Sequence, residues 1–115
     1  MYQIFVDATF SPLRDDRCAY GYVVVKKIHK KYTPILMGNE KISSKTSIEA
    51  EKNAIDHSIQ LCQQRYGKMP DIVISDCQPA IQAIEKKYTN VELQWRSRKD
   101  EYIRIAHQLA KSIFH

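Results

Sequence analysis

The sequence predicts an α/β fold: one domain, with a five-stranded mixed sheet flanked by helices and elements in the order βββαβαβα. Three observations carry this. Apolar segments rich in Val, Ile and Tyr recur along the chain at strand length. From about Ser47 to Tyr66, and again from about Asp100 to Ile113, apolar residues recur at helical spacing instead. The first three strand-like segments follow one another directly, whereas the later ones alternate with helices. That order gives a meander joined to crossover units.

Residues 2–7 read as the first strand, Tyr2-Gln3-Ile4-Phe5-Val6-Asp7, and the polar stretch with Pro12, Arg14, Asp15, Asp16 and Arg17 as a loop. Tyr20 to Lys27 form the second strand around Val23-Val24-Val25, and residues 32–42 the third, with Lys26 to Lys31 as the hairpin tip. Pro34 cannot donate to a ladder, so part of the third strand is an edge or a bulge. Ser47 is the expected N-cap of the first helix; Gly67 ends it and Pro70 prevents its resumption. Residues 71–76 form strand four. A short helix runs from about Pro79, which suits a first turn, to Lys87. Strand five spans Val91 to Arg96, and the last helix closes the chain.

The chain's 115 residues suit a single domain, 1–115. With 43% hydrophobic and 27% charged residues it is globular rather than disordered. No apolar run is long enough to span a membrane. No basic and apolar leader precedes Asp7, so no signal peptide is expected. Cys18, Cys62 and Cys77 cannot all pair, and their spacing fits neither zinc nor a redox pair. These features imply a reduced, cytoplasmic protein, and nothing suggests other than a monomer. The net charge of +5 gathers at Lys26, Lys27, Lys30 and Lys31 and at Arg96, Arg98 and Lys99. Such clusters fit a polyanion such as nucleic acid, or a solvated surface.

Three carboxylates stand out. Asp7 and Asp76 each end a hydrophobic strand. For Glu51, helical spacing brings Ala54, Ile55, Ile59 and Cys62 onto its own face, the packing face. Glu49 shares its face with Asn53, Asp56 and Gln60 and is a surface residue. A carboxylate on a packed face loses hydration unless a cation or donor compensates. Asp76 reads either as a cap for the helix after it or as a functional group; Asp7 has no adjacent helix to cap. Together the three imply a divalent cation, most simply Mg²⁺, which prefers hard oxygen ligands.

These residues resemble a known family. Asp7-Ala8-Thr9 is similar to the Asp-Ala-Ser that closes the first strand of type 1 ribonucleases H, and Tyr20-Gly21-Tyr22-Val23 to their glycine-bearing second strand. Thr46-Ser47-Ile48-Glu49-Ala50-Glu51-Lys52-Asn53-Ala54 resembles their T-N-N-x-x-E and A-E-x-x-A. Asp76-Cys77-Gln78 resembles strand-Asp-Ser-Gln, and Ala106-His107-Gln108-Leu109-Ala110 resembles A-D-x-L-A. The resemblance covers nearly the whole chain and implies a ribonuclease H-like fold. It implies a metal-dependent endoribonuclease cutting the RNA strand of RNA/DNA hybrids, with two Mg²⁺ or Mn²⁺ ions about 4 Å apart. Asp7 would bridge the ions, Glu51 and Asp76 would hold one, and His107 would sit near the other.

His107 stands where the family has a fourth carboxylate. It reads as a ligand favouring Mn²⁺ or Zn²⁺ over Mg²⁺, or as a packed or half-exposed structural histidine at the edge of an apolar stripe. Asp100 or Glu101 could offer an oxygen in its place. Thr46, Ser47 and Gln78 would line the strand groove, with Arg96, Arg98 and Lys99 on phosphates. Arg98 best matches the Arg of the W-x-P-R segment found in relatives. Ser47-Ile48 replaces the Asn pair that meets RNA 2′-hydroxyls. Alternatives are a catalytically silent nucleic-acid-binding domain of this fold, a nuclease of the superfamily acting on DNA, or an interaction module unrelated to nucleic acid.

Overall fold

A computed structural model describes residues 1–11 and 18–114. The polar stretch that includes Pro12, Arg14, Asp15, Asp16 and Arg17 lies outside the described residues. Five strands form one sheet in the order β3-β2-β1-β4-β5. They are β1 (Tyr2–Phe10), β2 (Cys18–Ile28), β3 (Lys31–Lys41), β4 (Ile72–Ser75) and β5 (Glu92–Trp95). The helices are α1 (Ser47–Tyr66), α2 (Gln78–Ile84) and α3 (Glu101–Ser112). The order βββαβαβα is as the sequence predicts, and the sheet is mixed: β1–β2 and β2–β3 are antiparallel, β1–β4 and β4–β5 parallel.

β1 is central because both of its faces are apolar. Ile4 and Val6 pack with Val24, Ile55, Ile59 and Val73 beneath α1 and α2. Phe5 packs with Val23, Val25, Ile74 and Ile103 beneath α3. This alternation is the period of two expected of a strand. β1 runs further than residues 2–7, because Ala8, Thr9 and Phe10 continue the ladder opposite Tyr20, Ala19 and Cys18. Asp7 therefore lies inside a strand, opposite Gly21, rather than at its end.

Pro34 sits on the edge strand, where the β2–β3 register shifts between Val24 and Val25. Edge and bulge are the two places a sheet tolerates proline. The hairpin turn holds His29 and Lys30 at φ 49° and 68°. Thr46, not Ser47, caps α1: its backbone is extended and its Oγ1 accepts the Glu49 N–H at 3.0 Å. Ser47 is already helical, which frees its side chain. Gly67 ends α1 in the left-handed conformation, with its N–H on the Gln63 carbonyl.

α2 stops at Ile84, short of the predicted Lys87. Lys87 and Tyr88 instead fold back onto Asp56 of α1, the lysine at 2.9 Å. Asp100 caps α3 by accepting the N–H groups of Tyr102 and Ile103.

Gly21 fixes where α3 lies. A Cβ there would stand 2.0 Å from the Ala106 carbonyl oxygen and 2.8 Å from the Ala110 nitrogen. The helix backbone presses directly on β2 at this point, which a side chain would prevent. Since Gly21 is opposite Asp7, the residue after Ala106 is brought over Asp7. The three cysteines are free thiols. Among the described residues no helix is long and apolar enough to cross a membrane.

Candidate metal centre

Three elements deliver the acidic residues to one point. β1 carries Asp7, α1 comes over its C-terminal half with Glu51, and β4 ends just before Asp76. Burial of Ala50 and Ala54 against Ala8 brings the first turns of α1 close to β1. Small side chains at all three positions permit that approach. One carboxylate oxygen from each of Asp7, Glu51 and Asp76 lies within 4.8 Å of the others. The helical-face reading of Glu51 agrees with its 9% exposure.

The electrostatics of the cluster are unfavourable as it stands. Glu51 Oε1 accepts the Ala8 N–H at 3.3 Å. Among the described residues, three buried side-chain atoms lack a hydrogen-bond partner: Asp7 Oδ1, Glu51 Oε2 and Asp76 Oδ1. Native interiors leave few such atoms unpartnered, because each forfeits hydration without return. Burial, then the nearby Asp7 and Asp76 charges, push Glu51 up to about 9. Burial, then Asp76, push Asp7 up to about 6, against the lowering effect of His107. Three hard oxygens without donors, converging from three elements, are what a divalent cation requires. The donor set therefore fits Mg²⁺ or Mn²⁺, and its all-carboxylate character disfavours soft metals.

An imidazole and a guanidinium reach the cluster from two sides. His107 Nδ1 lies 2.5 Å from Asp7 Oδ2. Its side chain is half-exposed, and its contact is with a carboxylate. Arg98 Nε donates to Asp76 Oδ2 at 2.8 Å, with the Arg98 side chain 82% exposed and the Asp76 side chain 4% exposed. That bond, reinforced by the charges of Asp76, Asp7 and Glu51, raises the already high pKa of the guanidinium.

Arg98 borders two cavities. One, of about 130 Å³, is lined by Asp7, His107, Ile103, Arg104 and Gln108. The other, of about 340 Å³, is lined by Ser47, Glu51, Asp76, Cys77, Gln78, Pro79 and Trp95.

The remaining predicted site residues divide. Ser47 and Gln78 line the larger cavity with the acids. Thr46 is committed to the cap of α1. Arg96 lies elsewhere: its guanidinium stands 5.5 Å over the Phe5 ring and pairs with Asp100 at 3.3 Å. Lys99 is exposed. Asp100 offers no oxygen to the cluster, because it accepts from α3 and from Arg96. Glu101 lines other cavities, beside Tyr102 and beside Arg104. Asp76 does not cap α2, whose N-cap is Cys77; Ser75 Oγ accepts the Cys77 N–H instead.

Two groups at the site are given no role from the sequence. Trp95 is 54% exposed, and its Nε1 donates to the Asp76 carbonyl at 3.1 Å. Arg104 borders the cavity beside Asp7 and precedes His107 by three residues, a helical spacing that could have revealed it.

No family model matches the chain, and no curated protein matches it. Solved structures do. The LC11-RNase H1 in complex with an RNA/DNA hybrid superposes with a TM-score of 0.65 at 15% identity, over 95% of this chain and 93% of that one. The prototype foamy virus protease–reverse transcriptase gives 0.59 at 14% identity, over 96% of this chain and 20% of that one. Endonuclease V of Ciona intestinalis, bound to DNA containing an inosine followed by a ribo-adenosine, gives 0.59 at 14% identity, over 84% and 46%. The chain thus spans about a fifth of the foamy virus chain and under half of the endonuclease V chain. With the strand order and helix placement above, these likenesses show a ribonuclease H-like fold. Two of these neighbours, a ribonuclease H1 and an endonuclease V, are nucleases by name, and this chain carries an acidic cluster able to hold a metal.

Proposed function

We propose that the protein is a metal-dependent endoribonuclease that cleaves the RNA strand of RNA/DNA hybrids. The observation that carries this reading is the set of three orphaned, buried carboxylate oxygens of Asp7, Glu51 and Asp76. The resemblance of its motifs to type 1 ribonucleases H supports it, as does the likeness to a ribonuclease H1 bound to a hybrid.

Asp7, Glu51 and Asp76 would hold Mg²⁺ or Mn²⁺, which when bound supplies the Lewis acidity that phosphodiester hydrolysis needs. The rest falls to the chain. Burial fixes the carboxylates in place before substrate arrives, so little reorganisation remains for the reaction itself. His107 holds a proton between its Nδ1 and Asp7 Oδ2 and so orients that carboxylate. It acts as a positioning residue, or as a neighbour of a second ion if two bind. Ser47 and Gln78 offer polar contacts in the larger groove, where Trp95 gives an exposed ring face. Arg98 and Arg104 place positive charge beside the acids, where phosphates would approach. RNA would be distinguished by its 2′-hydroxyl.

A second reading, a nuclease acting on DNA, is favoured by the endonuclease V likeness. The His107–Asp7 contact favours a third, a catalytically silent nucleic-acid-binding domain. A labelled RNA/DNA hybrid, incubated with Mg²⁺ or Mn²⁺ beside RNA/RNA and DNA/DNA duplexes, separates the three. We expect hybrid-specific cutting that Asp7→Asn abolishes. Cutting of DNA alone would replace the proposal with the second reading, and binding without cutting with the third.

A further inference from the structure

We infer that Arg98 is a resident counter-ion of Asp76, one that a divalent cation displaces and that is thereby released toward substrate phosphate. The inference rests on the metal-dependent reading above and concerns what the chain does before a cation arrives.

Asp76 is buried to 4% exposure, yet Arg98 Nε satisfies its Oδ2 from an arm that is itself 82% exposed. Pairs of that kind join a fixed acid to a base with little holding it elsewhere. Among the described residues Arg98 makes no other ion pair or side-chain hydrogen bond. Its backbone follows a turn closed by Asp100 N–H on the Ser97 carbonyl and by Lys99 N–H on Ser97 Oγ. That turn ends β5 and directs the arm back over the acids. The oxygen opposite, Asp76 Oδ1, is orphaned together with Asp7 Oδ1 and Glu51 Oε2. The guanidinium therefore satisfies one oxygen of the cluster and leaves three others without a partner. A guanidinium bonds a carboxylate from one side through fixed N–H vectors. A small cation can meet oxygens from all three elements together.

The two therefore compete. Each positive charge lowers the other's affinity for Asp76, and the coupling is reciprocal by thermodynamic necessity. Once displaced, the arm lies between the two cavities with five donors in a geometry suited to phosphate. Metal binding and nucleic-acid binding then become positively coupled through one side chain.

The test is calorimetric titration of Mn²⁺ into the wild-type protein, Arg98→Ala and Arg98→Lys, with no nucleic acid present. Arg98 is exposed, so neither substitution threatens the fold. Removing one partly screened charge a few ångströms from the ion should tighten Mn²⁺ binding on the order of tenfold in Arg98→Ala. Arg98→Lys, which keeps charge but loses the fixed fork, should fall between. In parallel, the Arg98 Nε–H resonance should move on adding Mg²⁺ to the wild type. Equal or weaker Mn²⁺ binding by Arg98→Ala, beside clear binding by the wild type, would overturn the counter-ion role and leave the metal site standing. Absence of Mn²⁺ binding by all three proteins would overturn both. Binding by Arg98→Ala in the absence of wild-type binding would support the inference in its strongest form.

Discussion

Glutamine in place of Glu51 should stabilise the metal-free protein at alkaline pH. Glu51 is held up to about 9 by burial and by its acidic neighbours. Its unfolded value is near 4.5. Between those values the folded chain keeps a proton that the unfolded chain has released, so stability falls as pH rises through the window. At pH 8 this amounts to about three and a half pH units, an upper bound of ~5 kcal/mol. Relaxation and water entry lower such a penalty without removing it, so ~2–3 kcal/mol is the working expectation. Glutamine keeps an oxygen for the Ala8 N–H and turns an N–H₂ toward the other carboxylates. At ~2.1 cal/mol/K per residue, each kcal/mol moves the Tm of a 115-residue chain by ~4 °C. Thermal melts in EDTA should then place Glu51→Gln ~10 °C above wild type at pH 8 and level with it near pH 4.5. Saturating Mn²⁺ should narrow the gap by stabilising the wild type more, through mass action. A variant that melts no higher than wild type at pH 8, or by a margin independent of pH, would refute the reasoning.

Gly21→Ala should destabilise the fold by ~3 kcal/mol or more, because its Cβ meets helix backbone that has no side-chain freedom to yield; urea unfolding measures it. Asp56→Ala, which removes the acceptor of Lys87 and Tyr88, should lower stability by ~1–2 kcal/mol in the same assay. His107→Asp should keep or raise Mg²⁺-supported cleavage, since it adds a carboxylate beside Asp7; a large loss would assign the imidazole a role that an acid cannot fill.

The element order and the face of Glu51 were legible because both follow from short periods. The short apolar run Ile4-Phe5-Val6 marks β1 as a strand, and the 3.6-residue repeat sets Glu51 among Ala54, Ile55 and Ile59. Element ends were less so. Thr46 and Ser47 are both acceptable caps, and local chemistry does not choose between them. Glu85, Lys86 and Lys87 are good helix formers, but the pull of Asp56 on Lys87 and Tyr88 is a long-range contact that a local window does not contain.

The same limit applies to the site. Arg96, Arg98 and Lys99 form one basic cluster in sequence. The turn at Ser97 sends Arg98 to Asp76, while Arg96 lies over Phe5. No glycine or proline announces that turn. The His107–Asp7 contact spans 100 residues of chain and depends on the approach of α3 to Gly21, a matter of packing rather than pattern.

The measurement that tests the central claim most directly is anomalous diffraction from crystals soaked in Mn²⁺. The account predicts density between Asp7, Glu51 and Asp76, with oxygens from all three as ligands and Arg98 withdrawn from Asp76. Millimolar Mn²⁺ that leaves this position empty, or binds elsewhere while Arg98 stays on Asp76, would contradict it.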